Sequence, residues 1–554
     1  MRQFFSRLWH YFTVKRLAVA VFLAVAFVLW WGMPSLPESS VVYATEKGYY
    51  ARGYLSPDGR LYLVHESVNS YAQPPTTTPW VDRLRVFDLK KGREIWTWQS
   101  VSLPIEEPTW TKQNHVYFYR RGTKEVKVRD RSDGGMNSVY DGEVMGFDPQ
   151  RGEQVFRHHC ADPCYASLTF SPDGMSLAIG QNVQMQSSRT ELANLRTGAV
   201  RTLASAPGDA FTYPHLFSPD GSLLLSFASK SLSPGDRPEV LVHDVRTGTL
   251  RHRFPSANPV AFSPDSRLLA SGDDQQGHRD LVRVWEVASG RLLATLEGFR
   301  TKRPLPNIKE EVHTGVGKLW FTPDSTRLCV GAGRALPNQV GGRFIFPTEL
   351  WLFTTTTFQF LGVVPGSYPA FSSDSRYLSV LTEKYNFLLL DLQQGLQGHE
   401  VPGKVESSVD FGFVRSPGHP DLHFHRVTKP TQFPPWMQQV RTWLGLRKDN
   451  EQLIELIFRD AQSHHERERW NFVADPKKVA MHFTPEHDTL VVQYRLANDH
   501  SRLDLYSLPP RRPWLHIFGW AVAAGSIVEL MGLVWHRRRK RNQAQNMFPA
   551  ARTV

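Results

Sequence analysis

Two short phrases that recur between residues 50 and 510 predict an all-β chain folded as a single β-propeller of about eight blades, nine at most, flanked by an N-terminal and a C-terminal transmembrane helix. The first phrase reads LSPDG at 55–59, FSPDG at 170–174 and 217–221, and FSPDS at 262–266. It continues as FTPDS at 321–325, FSSDS at 371–375 and a decayed FTPEH at 483–487. The second reads LRVFDLKKG at 84–92, VMGFDPQRG at 144–152, LANLRTG at 192–198, VLVHDVRTG at 240–248, VRVWEVASG at 282–290 and FLLLDLQQG at 387–395. The third observation concerns charge. The net +12 of the 554 residues sits in the tails, +4 in residues 1–36 and +7 in 511–554, which leaves +1 for the long body between them.

Each phrase has a mechanical meaning. Proline presets φ for the second position of a tight turn, aspartate bonds its own backbone, and glycine takes the positive-φ position that closes a hairpin. Asp58, Asp173, Asp220, Asp265 and Asp324 are therefore expected to be turn residues, because their spacing follows the blade period. The phenylalanine before the turn ends one strand, and apolar pairs such as Leu268-Leu269 begin the next. In the second phrase, apolar residues alternate as in a strand buried between neighbouring sheets.

Two units lack the first phrase. Residues 108–120 (PTWTKQNHVYFYR) supply the missing hairpin before 144–152, and 409–427, followed by 453–458, supply another. Counting both gives nine units; the weakness of the one near 409–470 favours eight. A helical insertion is expected at 434–446, where Pro435 precedes Trp436, Met437, Val440, Trp443 and Leu444 on one helical face. The last unit shows a hairpin at 483–494 and a third strand at 503–508 but no fourth. The segment 41–50 is expected to supply it, so that strands 40–50 and 500–508 pair and close the ring without a raw edge.

The unit SPDSRLLASG…LVRVWEVASGRLLATLEG at 263–298 resembles a bacterial WD repeat, with Trp285-Glu286 in place of the Trp-Asp pair. The SPDG turns are equally similar to TolB-like propeller repeats. The resemblance covers about residues 50–510 and implies the propeller fold; it implies no particular activity. Gly-His dipeptides occur only as Gly277-His278 and Gly398-His399, so the Asp-His-Ser/Thr network of the WD family is expected to be incomplete.

Residues 1–16 form a basic amphipathic segment, and 17–33 (LAVAVFLAVAFVLWWGM) an apolar run long enough to span a bilayer, with Trp30 and Trp31 at its edge. A cleaved signal peptide is the competing reading, with Val42-Tyr43-Ala44 as a cleavage-like site. The second span is 514–535, with Arg511 and Arg512 before it and the run Arg537–Arg541 opening a basic cytoplasmic tail, 536–554. The flanking charges point both termini inward and place the body on the outer, periplasmic face of the cytoplasmic membrane. Glu529 is an intramembrane acid, read either as a functional carboxylate or as one reaching the interface.

No catalytic, cofactor-binding or metal motif is present: there is no nucleophile elbow, phosphate loop, zinc-protease helix or dinucleotide fingerprint. Cys160 and Cys164, after His158-His159, are read as a candidate disulfide, with free thiols and a metal site as alternatives. Cys329 reads as core filling. His423, His425, His464 and His465 are read with Glu466 and Glu468 as solvated loop surface. A neutral body cannot supply the counterion release that drives phosphate-backbone binding, so nucleic acid is excluded as the expected partner. The function expected is that of a non-catalytic, membrane-tethered module or scaffold that binds an unknown protein partner and needs no cofactor. The alternatives are an envelope enzyme using the propeller channel (a quinone-dependent dehydrogenase or a hydrolase) and a sensor that signals through the spans.

Overall fold

Strand-forming segments rich in Val, Leu, Phe and Tyr alternate with the tight turns above, and in the computed structural model they assemble into nine four-stranded antiparallel sheets. The structure describes residues 39–44, 49–68, 81–101, 105–129, 136–160, 164–183, 187–203, 211–229, 239–255, 257–275, 278–299, 314–335, 345–382, 386–401, 411–414, 422–430, 452–474, 479–483, 489–495 and 500–507, with single positions at 19, 21, 522, 526, 530, 531, 534 and 538. One compact unit, 38–469 with 473–508, holds the ring. In the other unit, 1–37 with 470–472 and 509–554, the described terminal positions are helical and include the exposed Val19, Val522, Leu530, Met531 and Val534. Among the described residues no helix is long and apolar enough to cross a membrane. The expected spans 17–33 and 514–535, apart from these single positions, lie outside the described residues, as do Glu529 and the helical insertion at 434–446.

Blades 1 to 8 cover 49–101, 105–160, 164–202, 211–255, 257–297, 314–365, 367–401 and 411–474, each a four-stranded meander. Blade 9 takes three strands from 479–507 and its fourth from Ser39–Ala44. Ser39–Ala44 pairs antiparallel with His500–Ser507 in the register Val41↔Leu503 and Tyr43↔Ser501. The closing strand is shorter than the expected 41–50, because Tyr49–Leu55 already serves as the first strand of blade 1. Among the described residues the count is nine, not eight. The unit near 409–470 is a complete sheet of Phe411–Val414, Leu422–Pro430, Gln452–Asp460 and Glu466–Ala474. Its periodicity is hard to read because its first strand has four residues and twenty-one residues separate its second strand from its third.

Most of the core lies between blades rather than within them, the cluster of Leu381, Phe387 and Val401 inside blade 7 being an exception. The larger apolar clusters straddle neighbours: Leu225, Val242 and Phe254 of blade 4 pack with Phe262, Leu269 and Trp285 of blade 5, and Val282, Val284 and Leu296 of blade 5 pack with Val316, Val330 and Phe353 of blade 6. At the closure, Val41 and Tyr43 pack with Tyr62, Val64 and Phe87 of blade 1 and with Val491 and Leu503 of blade 9. Gln493 sits between the two tyrosines, its amide donating to Tyr43 Oη at 2.9 Å while Tyr62 Oη donates to its Oε1 at 3.1 Å. A ring built this way gains its burial only when neighbours stack.

An antiparallel meander puts the first and third turns of each sheet at one end, so all of these turns share one face of the ring. Within the first turn, the Ser218 and Thr322 hydroxyls donate to Asp220 and Asp324, the latter at 2.6 Å, and the carboxylates accept the amides of Ser222 and Thr326 at 3.0 Å. Burial works to raise the Asp220 and Asp324 pKa values, but these hydrogen bonds outweigh it and hold both below the usual carboxylate range.

The turns are also bonded to each other. The Asp220, Asp265 and Asp324 amides donate to the hydroxyls of Ser266, Ser325 and Ser375 in the next blade, at 3.1, 3.1 and 2.9 Å. These serines occupy the positive-φ position at 60°, 62° and 61°, where other copies of the phrase carry glycine. Left-handed backbone costs a non-glycine residue about 1–2 kcal/mol, and here the residue that bears the cost supplies the acceptor. Ser266→Ala, which keeps the strain and loses the bond, is expected to destabilise the protein by about 1–2 kcal/mol. In Ser266→Gly, relief of the strain offsets the lost bond and the change is near zero. The thermal midpoints of the two variants check this; equal midpoints would contradict it.

Candidate interaction surface

The tight-turn face is the best-defined surface of the ring. The chain enters the ring at Ser39 and leaves it at Ser507, and the register Ser39↔Leu505 puts both points at this face. The opposite face carries the ends of the longer connections, those between 68 and 81, 299 and 314, 335 and 345, and 430 and 452.

Beside the entry point lies a cleft of ≈ 780 Å³ lined by Arg60, Leu61, Asp88, Lys90, Lys91, Arg93, Glu94, Ile95 and Gln150. The two turns of blade 1 build its wall, joined by the Leu89 amide donating to the Arg60 carbonyl at 2.9 Å. The second turn passes through Gly92 at φ 64°, and a Cβ there would stand 3.7 Å from the Ser40 carbonyl oxygen. The turn thus lies against the strand that closes the ring. Four cations and two carboxylates line the cleft, and the carboxylates are already engaged. Asp88 accepts the Lys91 amide at 2.9 Å and pairs with its Nζ at 3.2 Å, and Glu94 is held by Arg85 at 2.6 and 3.0 Å. Arg60 approaches Asp58 to 3.8 Å, while Lys90 and Arg93 have no carboxylate partner among the described residues. The near-neutral total of the body hides this concentration; the run Leu89-Lys90-Lys91-Gly92-Arg93 is the signal that could have found it.

The histidines at 423 and 425 are not loop surface. They stand on the second strand of blade 8, wholly buried, where alternation aims both at blade 7. His423 Nε2 lies 2.8 Å from Ser379 Oγ, and the Phe387 ring lies 5.6 Å from His423 and 5.3 Å from His425. Burial above all, then His425, Arg459 and His464, pushes the His423 pKa well below its ordinary value. At the same seam, His464 of blade 8 stacks on His399 of blade 7 at 4.8 Å. Arg459, Asp460 and His465 flank it on its own blade, and Arg376, Asp374 and Asp391 gather with Tyr377 on the facing one.

Cys160 ends the outer strand of blade 2 and is buried; the Cys164 side chain lies outside the described residues, and with it the candidate disulfide. Cys329 is buried in blade 6, and burial pushes its thiol up out of the reactive range. Among the described residues no group of three His, Cys, Asp or Glu side chains could hold a metal ion. In blade 5 the Trp285 indole donates to Ser271 Oγ at 3.2 Å.

Four-stranded blades stacked around a ring, closed by the strand Ser39–Ala44, define a β-propeller. No protein-family model matches the chain. It is similar to the WD repeat-containing protein SL1-17 of Schistosoma mansoni, 26% identical over 209 residues, which are 37% of this chain and 62% of that protein. The match therefore spans less than two thirds of that relative. Among solved structures it is similar to the dihydro-heme d1 dehydrogenase NirN in complex with DHE, at 18% identity and a TM-score of 0.37, over 79% of this chain and 78% of that one. Likeness at that level says nothing of activity.

Proposed function

We propose that the protein is a non-catalytic interaction module, a propeller with WD-repeat and TolB-like turns tethered by the segments 17–33 and 514–535 to the outer face of the cytoplasmic membrane. The observation that carries the reading is the pairing of Ser39–Ala44 with His500–Ser507, which brings both attachment points to one face of one ring. Supporting it are the apolar runs themselves, the basic residues flanking them, and the exposed apolar side chains at helical positions 522, 530, 531 and 534. Such a ring leaves its other face to a protein partner, the use to which rigid repeat scaffolds are suited. After alkaline carbonate extraction of membranes, the full chain is expected to stay in the pellet, and protease added to intact spheroplasts is expected to digest the body. Release by carbonate would remove the tether, and a body that survives the protease would overturn the outward placement.

A further inference from the structure

We propose that the basic cleft of blade 1 is a docking site for anionic phospholipid headgroups, which fixes how the ring meets its membrane. The inference rests on the tethered reading and goes beyond it. Lys90, Lys91 and Arg93 are exposed, stand on the tight-turn face and flank the strand by which the chain enters the ring. The segments expected to enter the bilayer are joined to the ring at Ser39 and Ser507, so the cations stand on the face of the ring where both join it. The carboxylates lining the cleft are engaged by Lys91 and Arg85, which leaves Lys90, Arg93 and the far end of Arg60 to meet a phosphate. Leu61 and Ile95 supply apolar lining. A flexible ammonium acts on phosphate as a point charge and a guanidinium as a fork, and the cleft offers both. Lipid is favoured over a soluble anion because the site adjoins both points of attachment.

The test uses the full chain reconstituted into phosphatidylcholine vesicles with and without phosphatidylglycerol, and reads amine labelling at Lys90 and Lys91 by mass spectrometry, with Lys318 of blade 6 as reference. Anionic lipid is expected to slow labelling of both lysines about fivefold, to lose that effect at high salt, and to leave Lys318 unchanged. The triple variant Lys90→Glu, Lys91→Glu, Arg93→Glu is expected to abolish the dependence on lipid charge. A chain that integrates but labels equally in both vesicles overturns the proposal while the tether stands. Equal protection by inorganic phosphate without anionic lipid overturns the choice of lipid. A chain that fails to integrate overturns the tether; salt-sensitive protection of Lys90 and Lys91 by anionic vesicles would then uphold the cleft, and its absence would end both.

Discussion

Val41→Asp is expected to destabilise the protein by about 3 kcal/mol or more, whereas Val42→Asp one residue along should stay within about 0.5 kcal/mol. The two positions differ only in the direction they face. Val41 is 6% exposed and packs into the seam between blades 9 and 1, while Val42 is 58% exposed. A carboxylate at 41 would be desolvated among Tyr43, Tyr62, Phe87 and Leu503. Releasing Ser39–Ala44 would also bare the edge of His500–Ser507, and an unpaired strand edge recruits other chains. The measurement is a pair of thermal midpoints with size-exclusion profiles. Equal effects at 41 and 42 would mean that the strand is not part of the seam.

Acidification from pH 7 to pH 5 is expected to cost the fold about 2 kcal/mol or more, concentrated at buried histidines. Burial pushes His482 down to about 4 beside the Tyr62 ring, 5.4 Å away, and holds His423 well below its ordinary value at the blade 7–blade 8 seam. His482 is neutral in the fold at pH 5, whereas the unfolded chain takes up a proton near 6.5. The unfolded state binds more protons in that window, so stability is full above 6.5 and is lost as the pH falls below it. His482 contributes about 2 kcal/mol of loss at pH 5, at roughly 1.4 kcal/mol per pH unit, and His423 acts in the same direction. His482 Nε2 has no hydrogen-bond partner among the described residues. His482→Phe is therefore expected to keep the stability at pH 7 and to remove about 2 kcal/mol of the loss at pH 5. Denaturation midpoints at the two pH values check this; an unchanged slope in the variant would show that His482 is not the titrating group.

The ring was legible because its turns are chemically narrow. Where the positive-φ position is glycine, as at Gly59, Gly174 and Gly221, or serine, as at Ser266, the phrase can be read by eye. Where the same backbone is carried by Asn114, Phe358 or His464, at φ 59°, 56° and 59°, the turn is present but its letters are gone. His464 takes the glycine position in a turn where its amide donates to the Asp460 carbonyl at 2.9 Å, and that substitution hid part of blade 8. Strand closure was readable from a bookkeeping fact, a last unit one strand short. The histidine pair was misread because clusters of His and Glu suggest solvent; the alternation Leu422-His423-Phe424-His425 was the better guide, since it places both imidazoles on one side of a strand. The basic cleft escaped notice for a different reason: it joins side chains from two turns nearly thirty residues apart, and only the fold brings Arg60 beside Lys90.

The central claim is a single ring locked by its own first strand, and a disulfide across that lock tests it most directly. Val42 and Arg502 are register partners on the paired strands, at the separation a cross-strand pair allows. In the double variant Val42→Cys, Arg502→Cys, mild oxidation is expected to form a bond within one chain that joins peptides from its two ends and raises the thermal midpoint. A bond that forms only between two chains, or none under conditions that leave both thiols accessible to alkylation, would contradict the closed ring.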